Sequence, residues 1–331
     1  MFLGTLACLL PGSMVILSGD KLQSPDAYRL FGIWLAFLIL LFGASCLIGI
    51  WRAVLALPAP LYEEEPPPFS TEVANLTRNP SFIRVFLAAI LILVGQGITL
   101  ALNIHAFRYF WQIPADQTQL PLMALVLGQA IGLPIAAIMS RLAEKRSGMM
   151  FAVIVTAIYT LAITLVASAG LLPVGTRLSL GLVLMNAIVL GASSTLFVVS
   201  LFSMMADAVD EHDHLFGVKR EALYAAALLL GAKAATGIGG FIAGVGLELI
   251  GFSTATGEGG AIAGSGPLRS TEAIDNLGLL WGVVPPFLLF LSLPLLFGYA
   301  LTKKRHAFII EQLSARGADS GGVKKFVSPP A

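Results

Sequence analysis

Residues 203–252 read SMMADAVDEHDHLFGVKREALYAAALLLGAKAATGIGGFIAGVGLELIGF. A dense cluster of charges runs directly into a long apolar segment that holds one lysine, Lys233. If the segment from Glu221 is a helix rising ~1.5 Å per residue, Lys233 sits roughly 18 Å further on, near the middle of a ~30 Å hydrocarbon layer. A lysine at that depth costs ~2.5–3.5 kcal/mol on insertion scales, which marks it as functional. Its stem is too far from either interface for the ammonium to reach the headgroups. The one acid well inside a span, Glu248, lies ~22 Å further along the same helix. A solute, water or another protein segment therefore completes Lys233, or desolvation keeps it neutral. Gly237, Gly240 and Gly244 follow on its face and read first as a surface for close helix packing.

The composition supports a membrane reading. Hydrophobic residues make up 57% of the 331 and charged residues 12%, against ~25% charged in ordinary soluble domains. The net charge of +1 gives no argument for nucleic acid as a partner; the lipid bilayer is the partner the composition demands. Cys8 and Cys46 both lie in apolar runs and read as small buried hydrophobes rather than a disulfide. The N-terminus has no basic residue before Lys21, so it reads as a spanning helix and not as a secretory signal peptide.

Windows of roughly 20 apolar residues predict eight spans, at about 2–18, 30–50, 82–102, 120–140, 149–170, 178–206, 222–252 and 278–301. Counting lysine and arginine in the connecting loops puts fourteen of the 20 on one side and five on the other. The positive-inside rule then places both termini in the cytoplasm, as expected for a multi-pass protein of a bacterial-type inner membrane. Residues 58–81, which begin inside the acidic, proline-rich run LPAPLYEEEPPPF (57–69), read as a linker that cannot continue a helix. They separate two spans in residues 1–57 from a six-helix bundle over 82–302, with a cytoplasmic tail at 303–331. Six spans suit a bundle of two three-helix inverted repeats. In the tail, Phe308, Ile309 and Leu313 suit a short helix, lying on the membrane surface, under the bundle or free in solvent.

Three groups of residues are candidates for chemistry. Asp207, Asp210, Lys219, Arg220 and Glu221 lie at the cytoplasmic ends of two successive helices, where opposite charges can latch a bundle closed. Arg141, in the basic loop RLAEKR, joins them as a gate candidate. The competing reading is a solvated loop with ion pairs worth ~0–1 kcal/mol each. Gln96, Thr99 and Asn103 fall on one helix face, and Asn186, Ser193 and Ser200 repeat the pattern at heptad spacing. Such stripes line a solute path or simply hydrogen-bond between helices for ~0.6–2 kcal/mol each. Gln129 reads as packing, and Tyr109, Phe110 and Trp111 as an interfacial aromatic belt. The run Asp210-Glu211-His212-Asp213-His214 looks like a metal site but lacks a helical ligand spacing such as His at i and i+4. No phosphate-binding loop, GxSxG or other enzyme constellation is present, so neither an enzyme nor ATP drive within the chain is expected, and no cofactor is called for.

The segment SMMADAVDEHDHLFGVKREALYAA with GAKAATGIGGFIAGVGLELIGF resembles the junction of the tenth and eleventh helices in the glycoside, pentoside and hexuronide to cation symporters. These form the melibiose permease group of the major facilitator superfamily. NPSFIRVFLA (79–88) is similar to the start of that group's seventh helix, RLAEKR to its loop between helices eight and nine, and YALTKKRHAFIIEQL (299–313) to its tail. The resemblance implies an all-α carrier of twelve helices, of which the chain holds the last eight, and sets Lys233 at the group's functionally important lysine. It implies a coupling cation, Na⁺ or H⁺, held by acids on the missing four helices, and a sugar or glycoside-like solute. Leu228, Leu229 and Val198 stand where melibiose-type members carry polar or aromatic residues, which keeps a lipid-like or other apolar solute as the alternative. The reading is a secondary transporter working by alternating access, with Lys233, Gln96, Asn103 and Asn186 facing solute or coupling ion. The other reading is a truncated fragment or a membrane accessory subunit with no transport of its own, and an in-frame extension upstream of Met1 would restore the full carrier.

Overall fold

The computed structural model describes residues 25–55, 68–252 and 271–324, and among them every regular element is helical. The expected first span at 2–18 and Cys8 lie outside the described residues. Helix α1 (Pro25–Leu55) is apolar almost all round and exposes nearly all of it, with Leu40 at 72% and Ile48 at 73%. That is the surface of a helix facing lipid or another span. Cys46, expected to be buried, is exposed on it.

The short helix α2 (Phe69–Arg78) occupies part of the segment expected to be an unstructured linker. Its prolines, Pro66 to Pro68, precede the helix instead of interrupting it, and proline is tolerated there because the first N–H groups have no helical partner. The helix is amphipathic, and it buries Leu76 against the bundle.

Six long helices follow: α3 (Pro80–His105), α4 (Leu120–Leu142), α5 (Lys145–Ser168), α6 (Arg177–Phe216), α7 (Glu221–Leu249) and α8 (Thr271–Phe297). With α1 they make seven helices long and apolar enough to cross a membrane among the described residues. Local chemistry sets several ends. Asn79 caps α3, its Oδ1 accepting from the Phe82 N–H, and Pro80 supplies the first helical φ. Thr176 and Ser179 exchange hydrogen bonds in a capping box at the start of α6. Gly217, at φ 75°, ends α6 in the left-handed conformation that glycine adopts without strain.

The helices pack in the series α4, α6, α5, α8, α3, α7, so α4 and α7 stand at its two ends. Both end helices sit close because glycine lets backbones meet. A Cβ on Gly128 of α4 would press on Ile188 of α6, and one on Gly239 of α7 would press on Gly97 of α3. Helix α9 (Lys303–Lys324) turns under the bundle, burying Ile309 and packing Leu313 beside it.

Candidate functional site

At 40 residues, α6 runs ~60 Å, twice the thickness of a bilayer core. Its acidic run is therefore a helical extension and not a loop, and its side chains are ordered by four neighbouring elements. Asp207 is buried, and Lys145 at the start of α5 donates to both its carboxylate oxygens at 2.7 Å. His306 of α9 lies 3.4 Å from Asp207 and 3.0 Å from Asp210. Glu211 is buried with one oxygen 3.1 Å from Arg305 of α9, while Oε2 has no partner among the described residues. Lys219 lies 2.8 Å from Glu221 and 3.7 Å from Asp210, and Arg220 lies 3.0 Å from Glu72 of α2. The hydrogen bond to Glu221 holds the Lys219 ammonium above its ordinary pKa. Lys219 is thus not the counter-ion of Asp207; Lys145 is, because α5 rather than the α6–α7 turn packs against that face. Arg141 is exposed at the end of α4 and takes no part in these pairs.

Two neutral groups tie this end together. Asn79, fully buried, donates through Nδ2 to the Ala208 carbonyl at 2.9 Å and to the Tyr224 hydroxyl at 3.0 Å. Tyr224 in turn meets His212 Nδ1 at 3.2 Å. Tyr299 donates to the Met204 carbonyl, and burial, then the Asp207 and Glu211 carboxylates, push its phenol well above its ordinary pKa. The metal-like run is dispersed by these contacts, and no group of three or more metal-ligating side chains is arranged to hold an ion among the described residues.

Further along the bundle axis are two small cavities. The one nearer the charged end, about 40 Å³, lies between α3, α5, α6 and α8 and brings Gln96 together with Asn186, Thr99 and Ser193. The other, about 30 Å³, lies between α3, α4, α6 and α8 and includes Asn103. Each has room for water, and neither lining includes an ionisable side chain. Asn186 is buried and accepts from Thr160 Oγ1 at 2.8 Å. Asn103 accepts from Trp281 Nε1 at 2.9 Å. Ser200 is buried against Gly148 and lines neither cavity, so the α6 stripe is part cavity lining and part packing. Gln129 contributes its carbonyl to Thr195 in the α4–α6 contact.

Beyond the second cavity, α3 continues through one turn of π-helix, Ala106–Phe110, a form in which one extra residue re-aims the side chains that follow. Phe110 and Trp111 consequently turn inward and are buried, with Tyr109 half-buried, instead of forming a lipid-facing belt.

Lys233 lies apart from both the cavities and the charged end. On α7, Ala235 and Gly239 are buried, with Gly239 against α3, and at 100° per residue Lys233 falls on the opposite face. It is exposed, and Gly237, Gly240 and Gly244 on the same face meet open space, so this is not a packing surface among the described residues.

Sequence reasoning missed Lys145, Arg305, His306 and Glu72 as partners, because a counter-ion on another helix leaves no spacing signal. It also missed Thr156, Thr160 and Trp281, isolated residues on α5 and α8 that belong to no stripe. Asn79 could have been found: Asn followed by Pro before an apolar run is a helix-start signature. A family model described as MFS/sugar transport protein matches residues 1–303. No curated protein matches the chain.

Proposed function

This chain belongs to the MFS/sugar transport protein family, and on that premise we propose that it takes up a neutral, sugar-like solute by alternating access, coupled to a cation gradient. It is an all-α, multi-pass membrane transporter of major facilitator type. The observation that carries the finer reading is the uncharged lining on the bundle axis, mostly apolar in area, into which Gln96, Asn186 and Thr99 of the first cavity and Asn103 of the second bring amide and hydroxyl groups. Neutral hydrogen-bonding groups beside aromatic rings suit a solute rich in hydroxyls and disfavour an ion, which would lie desolvated without a counter-charge.

Lys233 is assigned to coupling. An ammonium at membrane depth on an open face of small residues is costly beside lipid and favourable beside a water-lined gap or a carboxylate-bearing segment. Asp207, Asp210, Lys219, Arg220 and Glu221 are assigned to a cytoplasmic gate, which Arg141 borders without a charge pair of its own. What supports it is that α2, α5, α6 and α9 all converge on that end through charge pairs. Movement of the bundle would have to break or carry those pairs together.

The test is uptake of a panel of labelled mono- and disaccharides into proteoliposomes holding the protein, under an imposed Na⁺ or H⁺ gradient. Lys233→Ala is expected to abolish gradient-driven accumulation while leaving exchange at equal concentrations measurable. Unchanged accumulation removes the lysine's role, and uptake of apolar solutes with no sugar taken up overturns the substrate class.

A further inference from the structure

The basic residues at the charged end divide into two sets. Lys145, Lys219, Arg220 and Arg305 each reach a carboxylate. Arg84, in the second turn of α3, and Arg146, at the start of α5, pair with no carboxylate among the described residues. Both close instead on the end of α8. Arg84 donates through Nη1 to the Gly298 carbonyl, and Arg146 through Nη1 to the Phe297 and Tyr299 carbonyls at 3.4 and 3.1 Å. Gly298 leaves room for this, since a Cβ there would stand 3.4 Å from Arg84 Nε. The acid nearest in sequence to Arg146, Glu144, is engaged elsewhere, with Oε2 accepting from the Lys303 N–H.

A cation at a helix C-terminus is favourable, because the last carbonyls lack helical donors and carry partial negative charge. One arginine meets that need. Two that converge on three consecutive carbonyls place like charges together with no acid to balance them. Each guanidinium has five N–H groups, and the bonds to α8 leave most of them uncommitted. A planar fork of that kind matches a phosphate.

The surroundings identify the source of the phosphate. Helices α5 and α8 pack against each other, and both are long and apolar enough to span the membrane. Phe297, whose carbonyl Arg146 holds, is 64% exposed, and Phe151, Ile158, Phe287 and Leu291 are exposed along the same two helices. The positive-inside rule puts the arginines in the cytoplasmic leaflet, whose surface carries anionic lipid.

We propose that Arg84 and Arg146 form a binding site for the phosphate of an anionic phospholipid, seated at the end of α8 with its acyl chains over the exposed carbon of α5 and α8. The bound lipid neutralises the two arginines and braces the turn from α8 into α9. This site is separate from the axial cavities and from Lys233, so its test involves no transport.

The experiment follows the melting temperature of the purified, detergent-solubilised full chain as dioleoylphosphatidylglycerol is titrated in. Dioleoylphosphatidylcholine and water-soluble glycerol 3-phosphate are titrated in separate arms. Phosphatidylglycerol is expected to raise the melting temperature saturably. Its half-saturating mole fraction should rise about fivefold in Arg84→Gln and in Arg146→Gln, and about 25-fold in the double variant, the factor for one basic residue at a membrane surface applied once or twice. Arg177→Gln, at the opposite end of the bundle, is expected to match the parent. Because each variant is compared with itself without lipid, a lower starting melting temperature does not obscure the shift. If the glutamine variants fail to fold, the Arg84→Lys, Arg146→Lys pair decides, with about twofold weaker binding expected from loss of the fork alone. No saturable rise in the parent, equal half-saturation in parent and double variant (or in the lysine pair), or a shift shared by Arg177→Gln overturns the site. Phosphatidylcholine acting as well as phosphatidylglycerol overturns its preference for anionic lipid, and glycerol 3-phosphate reproducing the rise overturns a lipid as its occupant.

Discussion

Asp207 is a buried charge held by two partners among the described residues. Its side chain is 5% exposed, and Lys145, 26% exposed, reaches it from a helix 62 residues away in sequence. Removing one partner of a fully buried pair costs about 3–5 kcal/mol. Here Lys145 keeps some solvent and His306 remains beside the carboxylate, so Lys145→Ala is expected to cost about 2–3 kcal/mol. Lys219→Ala removes pairs that are half exposed and is expected to cost less than about 1 kcal/mol. Thermal unfolding in detergent separates the two variants, and equal shifts would show that Asp207 does not depend on Lys145. The same residues show what was legible at this scale. Charge density marked the end of α6, but the choice of Lys145 over Lys219 depends on which helix packs beside Asp207. Nothing local to residues 203–221 encodes that.

Among the elements, α4 and α7 carry the informative contrast. Helix α4 contains two glycines and α7 six, and sequence spacing alone assigned the packing role to Gly237, Gly240 and Gly244. The contacts instead fall on Gly128 and Gly191 in the α4–α6 seam and on Gly239 in the α3–α7 seam. Gly128→Ala and Gly191→Ala are expected to destabilise by about 1–3 kcal/mol each, because the added carbon has backbone, not a flexible side chain, in its way. Gly237→Ala meets open space and is expected to be neutral or to stabilise by up to about 1 kcal/mol through helix propensity. Melting temperatures of the three variants decide it, and a destabilising Gly237→Ala would mean that this face is packed in the working protein. Helix α2 makes a related point. A proline-rich run stops a helix only where it lies inside one, and here it lies just ahead of the amphipathic segment that begins at Phe69.

For the whole molecule, the division of charge along the axis is the organising fact. The charged end holds α6's acidic extension, α2 and α9, whereas the cavities, lined by no ionisable side chain, and the inward-turned aromatic residues lie further along the axis. The positive-inside rule assigns the charged end to the cytoplasm. A fluorescent protein fused after Ala331 is therefore expected to fluoresce in a bacterial host, and alkaline phosphatase at the same point to be inactive. The reverse pattern would invert the proposed topology and move the gate to the other face.

Seven of the membrane-length helices, the all-α class and the position of the acidic cluster were determined by the sequence alone. Long apolar runs in a bilayer satisfy their backbone only as helices, and that requirement is local. The charge partners, the inward turn of Phe110 and Trp111, and the meeting of Trp281 with Asn103 were decided only by the tertiary structure. These depend on which faces of distant helices come together, and in a chain this uniformly apolar, helix faces carry too little contrast for spacing to reveal it.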